Sequence, residues 1–307
     1  LISVPIVKGF GLKYDLVDEP NDRKQHNIPI VRIGGIAIYL GIFVPCFLAV
    51  NLNLLDYESR NLLNLILTSS SLLFLLGIYD DVFTLSFAKR LFFQYFIASS
   101  LWIHGLQFKI LNFNLIYPHL DPIQLPIFLS YLITIFWIVG VINAINWLDG
   151  LDGLAAGLAT ISSLGIFVVA SLNGNNNDSF ILISLIGSCL AFLAYNFYPA
   201  KIFMGDSGSY LIGSILAIYT IYLNELLLNS SSLLISFLPQ ILILFVPLVD
   251  MAYVILLRLA NGNSPFYPDR NHLHHRLISS GLSHRKTVLT CYGISICFVA
   301  IFFLSLK

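Results

Sequence analysis

The sequence predicts an all-α, polytopic bundle of membrane-crossing helices, and three observations carry that prediction. Of its 307 residues, 57% are hydrophobic and only 10% charged, whereas a water-soluble domain usually carries about a quarter charged residues. Nine apolar runs reach the roughly 18 residues needed to cross about 30 Å of hydrocarbon. They lie near residues 34–54, 61–79, 91–108, 125–144, 154–172, 179–196, 208–228, 233–258 and 287–306. Five polar, acid-rich segments fall in every second gap between these runs, so a chain that crosses back and forth places all five on one face.

Taken in order, residues 1–7 are apolar but too short to span. They read as the remnant of a first helix or as a short interfacial segment. Nine complete transmembrane helices plus this remnant are therefore expected, in one unit over residues 1–307 with five motif loops. The run near 233–258 contains Pro239 and Pro247, which predict a split or kinked helix there. Residues 173–178 (NGNNND) and 229–232 read as turns, and residues 117–126 suit a small hairpin or a re-entrant piece. Cys46, Cys189, Cys291 and Cys297 all sit inside apolar runs and read as buried thiols acting as small hydrophobes.

Orientation follows from the cations. Lys8, Lys13, Arg23, Lys24, Arg32, Lys89, Arg90, Lys201, Arg258, Arg270, Arg276, Arg285 and Lys286 lie on the motif side, against Arg60, Lys109 and Lys307 opposite, a ratio of 13 to 3. The positive-inside rule puts the motif face in the cytoplasm. The formal net charge of zero hides this asymmetry, and nothing in it supports a nucleic-acid partner.

The motif segments carry the chemistry. Asp80 and Asp81 end the second run, where adjacent carboxylates suit a divalent metal or simply a solvated helix end. In NAINWLDGLDG, Asn143, Asn146, Asp149 and Asp152 recur every third residue, which brings amides and acids to one face of a helical turn. Such groups suit a nucleobase and ribose edge or a hydrated metal, and equally a capping role before the helix from Leu154. FMGDSGS puts Asp206 between Gly205 and Gly208-flanked serines at a helix start. There, backbone amides attract phosphate and Asp206 either holds a metal or serves as an N-cap. Phe203 offers a flat apolar face for stacking, or ordinary packing.

Arg270, His272, His274 and His275 close the last segment and suit diphosphate or sugar hydroxyls better than zinc, because the sequence assigns no carboxylate to orient the imidazoles. Asp250 lies in the proline-broken run and is a functional candidate, or a paired acid within the bundle. Lys24, His26 and Arg32, with Arg23, suit an anionic lipid head group, or the positive-inside rule alone.

Together these segments resemble the polyprenyl-phosphate N-acetylhexosamine-1-phosphate transferase family of glycosyltransferase family 4. The ordered patterns are D-x-P-x-x-R-K-x-H from Asp18, the DD pair, N-x-x-N-x-x-D-G-L-D-G, F-M-G-D-x-G-S and H-x-H-H up to His275, covering nearly the whole chain. The resemblance implies transfer of a sugar-1-phosphate from a UDP-sugar donor to a polyprenyl phosphate such as undecaprenyl phosphate, with Mg2+ (or Mn2+ in its place) and release of UMP. It also implies a multi-pass protein of the lipid bilayer and is compatible with a homodimer. Residue by residue, it assigns Asp206 and Asp81 to metal, and Asp80, Asp81, Asp149 and Asp152 to catalysis. Asn146, Asp149 and Phe203 match nucleotide-binding positions, joined by Asn143 of the same string. Arg270, His272, His274 and His275 match the sugar and diphosphate loop, and Lys24 and His26 the lipid-phosphate loop, beside Arg32. HLHHRL is similar to the branch that initiates O-antigen, enterobacterial common antigen and teichoic-acid lipids, so UDP-GlcNAc is the preferred donor. Other UDP-N-acetylhexosamines and UDP-MurNAc-pentapeptide are the alternatives. Val31 departs from the family's usual Pro before the Arg.

The physics of that reaction fits the inventory. Two anions must meet, so metal and fixed cations matter more than nucleophile strength. Direct attack by the lipid phosphate is favoured over an aspartyl intermediate, since that phosphate is already largely ionised near neutral pH. A transporter is the rival from another class, because intramembrane acids and broken helices mark those too. The acids here gather at helix ends, and no inverted repeat is found. A non-catalytic scaffold and a CDP-alcohol enzyme are disfavoured, the first by the full acid set and the second by the lack of a DGxxAR-type string.

Overall fold

The computed structural model describes residues 1–19, 28–111, 123–174, 179–229 and 238–305. Its helices are α1 (Ser3–Lys13), α2 (Gly35–Asn51), α3 (Tyr57–Phe83), α4 (Phe87–Ile103), α5 (Ile127–Leu148), α6 (Leu154–Leu172), α7 (Phe180–Asn196), α8 (Gly205–Asn229), α9 (Leu238–Ile243), α10 (Phe245–Ala260), α11 (Leu273–Ser279) and α12 (His284–Ser305). Two short antiparallel ladders join them: β1 (Val17–Asp18) with β2 (Ile30–Val31), and β3 (Ile110–Leu111) with β4 (Ile123–Gln124). The chain is an all-α membrane protein in class. By length and composition, α3, α5, α6, α8 and α12 can each cross a bilayer, while the apolar helices α2 and α7 are shorter, at 17 residues each.

Local chemistry sets the helix ends. The Asp56 side chain accepts the Ser59 backbone N–H at 2.9 Å and starts α3. Pro126 precedes α5, and Gly153, in the left-handed region at φ +80°, precedes α6. The break expected in the run 233–258 falls at Leu244, between α9 and α10. Pro247 has no N–H to give the carbonyl four residues back, at Ile243. The Ser162 hydroxyl on α6 donates to that carbonyl at 2.9 Å instead, so it keeps a hydrogen-bond partner at the break.

α8 is the axis of the bundle, with its side chains almost wholly buried and with α3, α5, α2 and α6 packed around it. Apolar side chains gain little by leaving lipid for protein, so close approach of small residues carries the packing. A Cβ on Gly77 of α3 would stand 2.4 Å from Cα of Ser207, and one on Gly35 would stand 2.3 Å from the backbone N of Gly208. These contacts bring the ends of α2, α3 and α8 together. The β1–β2 ladder then lays the first motif segment over them, extended by Phe203 N–H to Val31 O at 2.8 Å and Gly34 N–H to Phe203 O at 2.9 Å.

The apolar residues 1–7 fall in α1, which continues to Lys13 and buries Val4 and Val7. The segment 117–126 lies mostly outside the described residues, as do Lys24 and His26. Cys46, Cys189 and Cys291 are buried, whereas Cys297 is exposed on α12, contrary to the expectation of four buried thiols. α12 turns Cys291 inward and Cys297 outward, which an apolar stretch alone does not reveal.

Candidate functional site

A cavity of about 750 Å3 opens where the helix ends converge, and all five motif segments contribute to its wall. Asp18 and Arg32 come from the first segment and Asp81 from the end of α3. Asn146, Asp149 and Asp152 come from α5 and the turn after it, Phe203 and Asp206 from the start of α8, and His275 from α11.

The acids are held in place by distinct devices. Asp81 accepts the backbone N–H of Asp206 at 2.8 Å on one oxygen and that of Ser207 at 3.0 Å on the other. The first free amides of α8 are thus filled by a carboxylate of α3. This corrects two expectations: those amides are not open to phosphate, and the cap of α8 is Asp81, not Asp206. Asp206 is left facing the cavity, where Asn146 donates to it at 2.5 Å while also reaching the Ser209 hydroxyl at 2.9 Å. Asp152 accepts the Ala200 N–H at 2.9 Å, tying the α5–α6 turn to the segment before α8, and it does not cap α6. Asn196 braces the same junction, accepting from Gly153 N–H and donating to Ile202 O, both at 2.9 Å.

Asp149 caps the end of α5, beyond the helix itself. Burial raises its pKa well above the ordinary carboxylate value, and the nearby charges of Asp206, Asp81 and Asp152 raise it further. Among the described residues no cation is paired with it. Among the described residues, no three Asp, Glu, His or Cys groups stand close enough to close a metal cage by themselves. The donor set instead fits a hard cation held by one or two carboxylates and completed by water and phosphate oxygens, which is the habit of magnesium.

Five predicted residues are not on the cavity wall. Asn143 is buried and donates to Gln94 of α4 at 2.7 Å and to Val139 O at 2.7 Å. Residues three apart fall about 60° back around an α-helix, so the string from Asn143 to Asp152 cannot keep one face, and only its last three members reach the cavity. Asp80, only 1% exposed, pairs with Arg90 at 2.8 Å and accepts from the Leu85 N–H at 2.7 Å and the Tyr210 hydroxyl at 3.1 Å. It locks the α3–α4 turn onto α8. Arg270, His272 and His274 also stand off the wall, leaving His275 as the imidazole of that string that lines it. Burial lowers the pKa of His274 to about 3, with the His275 and His272 charges adding to the effect. The sequence reading missed His284 and Tyr198, whose rings stack at 4.3 Å on the cavity wall beyond Asp152. Tyr198 lies in the bend after α7 and His284 opens α12, and no spacing signal marks either.

These features define an integral membrane protein whose helix ends enclose a carboxylate-lined cavity with an arginine on its wall. Residues 63–224 match the family model of glycosyl transferase family 4. Over 299 residues the chain is 38% identical to the "Probable undecaprenyl-phosphate N-acetylglucosaminyl 1-phosphate transferase" of Bacillus subtilis (strain 168), covering 97% of this chain and 79% of that protein. It is 37% identical to the decaprenyl-phosphate N-acetylglucosaminephosphotransferase of Mycobacterium leprae (strain TN), covering 91% and 74% respectively. It is 30% identical to the undecaprenyl-phosphate alpha-N-acetylglucosaminyl 1-phosphate transferase of Salmonella typhi, covering 93% and 75%. The chain belongs to glycosyl transferase family 4.

Proposed function

We propose that this protein transfers N-acetylglucosamine-1-phosphate from UDP-GlcNAc to a polyprenyl phosphate, undecaprenyl phosphate or a close homologue, and releases UMP. The product is the lipid diphosphate sugar on which a cell-envelope polysaccharide is begun. The observation that carries this reading is the convergence of Asp81, Asp149, Asp152, Asp206 and Arg32 on one cavity, in a chain whose relatives are named for this transfer. Residues 1–307 act as one membrane-embedded domain. Its nine crossings are α3, α5, α6, α8 and α12 together with α2, α4, α7 and the broken pair α9–α10. The 13-to-3 distribution of cations favours a cavity open to the cytoplasm, in the plasma membrane.

An oxygen of the lipid phosphate forms a bond to the phosphorus that carries the sugar, the bridging bond to the UMP phosphate breaks, and the electron pair leaves with UMP. Arg32 offsets the charge of the approaching anions. Asn146 orients Asp206, Asp81 fixes the start of α8, and Asp152 sets the position of the segment leading to Phe203, which offers a stacking face to the uracil. His275, also on the cavity wall, serves the sugar diphosphate. Asp206 and Asp81 would hold magnesium, with manganese as a substitute, and the ion would neutralise phosphate charge when bound.

The decisive experiment incubates purified protein with UDP-GlcNAc, Mg2+ and undecaprenyl phosphate. UMP release that disappears in Asp206→Asn supports the reading. Absence of UMP with every UDP-N-acetylhexosamine tried, together with solute flux across liposomes, would replace it with a transporter.

A further inference from the structure

Asp250 lies on α10, 4% exposed and off the cavity wall, and the reaction outlined above gives it no task. Both of its oxygens are nevertheless engaged with the histidine segment. Nδ1 of His272 donates to one at 2.7 Å, and the backbone N–H of Leu273 donates to the other at 2.6 Å. The first bond fixes the tautomer and plane of an imidazole. The second holds the first residue of α11, a seven-residue helix with no side-chain cap of its own.

The following residues show what is being held. His274, 1% exposed, lies against Gly150 in the turn between Asp149 and Asp152, where a Cβ would stand 2.7 Å from its Nε2. His275, one residue further on, lines the cavity. The three imidazoles therefore divide their tasks. One is anchored to α10, one packs under the acid turn, and one is delivered to the site.

We propose that Asp250 is a positioning residue for the transfer reaction: by gripping His272 and the start of α11, it sets where His275 stands among the carboxylates. The proposal rests on the transferase reading of the cavity. It also explains why an acid is buried at this point. Asparagine has one acceptor atom where aspartate has two, so it can serve the His272 N–H or the Leu273 N–H but not both. Glutamate keeps both acceptors and displaces them by one methylene.

The test follows UMP release by full-length protein in detergent with UDP-GlcNAc, undecaprenyl phosphate and Mg2+. Asp250→Asn is expected to lower kcat about 10- to 100-fold, the loss usual when a carboxylate that orients a site histidine is removed. The KM for UDP-GlcNAc should change less than about threefold, because nucleotide contacts are untouched. Asp250→Glu should restore part of the rate. In a His272→Ala background, the same Asp250→Asn change should add less than about a threefold loss, since both act through one unit. Wild-type kcat in a folded Asp250→Asn protein, or fully additive losses, would overturn the proposal.

A second measurement needs no variant of Asp250. In 15N-histidine NMR of the wild-type protein, with the signal assigned by its disappearance in His272→Asn, the His272 ring should carry a proton on Nδ1. A ring protonated on Nε2 alone overturns the proposal. This readout stands whether or not the wild type releases UMP, and failure of that release would sink the transferase reading instead.

Discussion

The carboxylate of Asp81, at the end of α3, receives the backbone N–H groups of both Asp206 and Ser207 at the start of α8, at 2.8 and 3.0 Å. Two motifs 125 residues apart are thereby one structural object. In Asp81→Asn, one oxygen becomes an NH2 group that faces an N–H. The expected cost is about 0.5–2 kcal/mol of stability, as for other caps. The loss of UMP release should be larger, about 100-fold, because a cavity acid goes with the cap. Thermal unfolding in detergent and UMP release on the same preparation separate the two, and activity that falls only as far as the folded fraction would refute a place for Asp81 in the site.

Glycine contacts should sort by what lies beneath them. Gly77→Ala on α3 puts a methyl 2.4 Å from Cα and 2.5 Å from N of Ser207, all backbone, so the two helices must separate. Overpacking of this kind costs about 1–3 kcal/mol, and here it also lifts Asp206 off Asp81. Gly187→Ala on α7 meets nothing within 4 Å and should be neutral or stabilising by up to about 1 kcal/mol. Melting temperatures of the pair test this, and equal effects would mean that α3 and α8 are not closely apposed.

How much the sequence reveals follows from the range of each interaction. Apolar runs of membrane length locate α3, α5, α6, α8 and α12 because bilayer thickness is a fixed ruler, and Pro247 locates the break before α10 because a missing N–H is a local fact. Alternation of the motif segments brings Asp81, Asp149, Asp152 and Asp206 to one cavity without any knowledge of packing. Rotation about a helix axis is what escapes. Asn143 turns to Gln94, Asp80 to Arg90 and His272 to Asp250, each partner supplied by a different helix. A chain read in one dimension does not pair residues 22 or 49 positions apart.

Low pH should loosen the loop before α11 through one ion pair. Arg258, buried on α10, donates to Asp269 at 2.8 and 3.1 Å and lies over the Trp147 ring at 5.0 Å. The hydrogen bonds from Arg258 hold the Asp269 carboxyl down at about 2, against about 3.9 for an unperturbed aspartate. The folded state therefore binds fewer protons than the unfolded state across that interval. Stability from this pair is complete above pH of about 4 and is lost as pH falls toward 2. Asp269→Ala should cost about 3–5 kcal/mol at neutral pH, since it leaves a buried guanidinium unpaired. Its deficit relative to wild type should shrink on acidification. Unfolding curves of both proteins from pH 6 downward check this, and a deficit independent of pH would show that the charge pair is not the cause.

Removal of divalent metal should stop the reaction without unfolding the protein. Among the described residues no three potential ligands are close enough to form a cage, so substrate phosphates and water must complete the coordination of any magnesium held by Asp206 and Asp81. An ion bound that way contributes little to the free protein's stability, in contrast to a structural site whose binding energy is folding energy. Chelation with EDTA should abolish UMP release, and added Mg2+ or Mn2+ should restore it, while the melting temperature of the substrate-free protein moves by less than about 2 °C, below the shift that 1 kcal/mol produces in a domain of 150–250 residues. Asp206→Asn should raise the Mg2+ concentration needed for any residual rate. A large fall in melting temperature on chelation would mean a preformed protein cage, and full activity in EDTA would remove the metal from the reaction altogether.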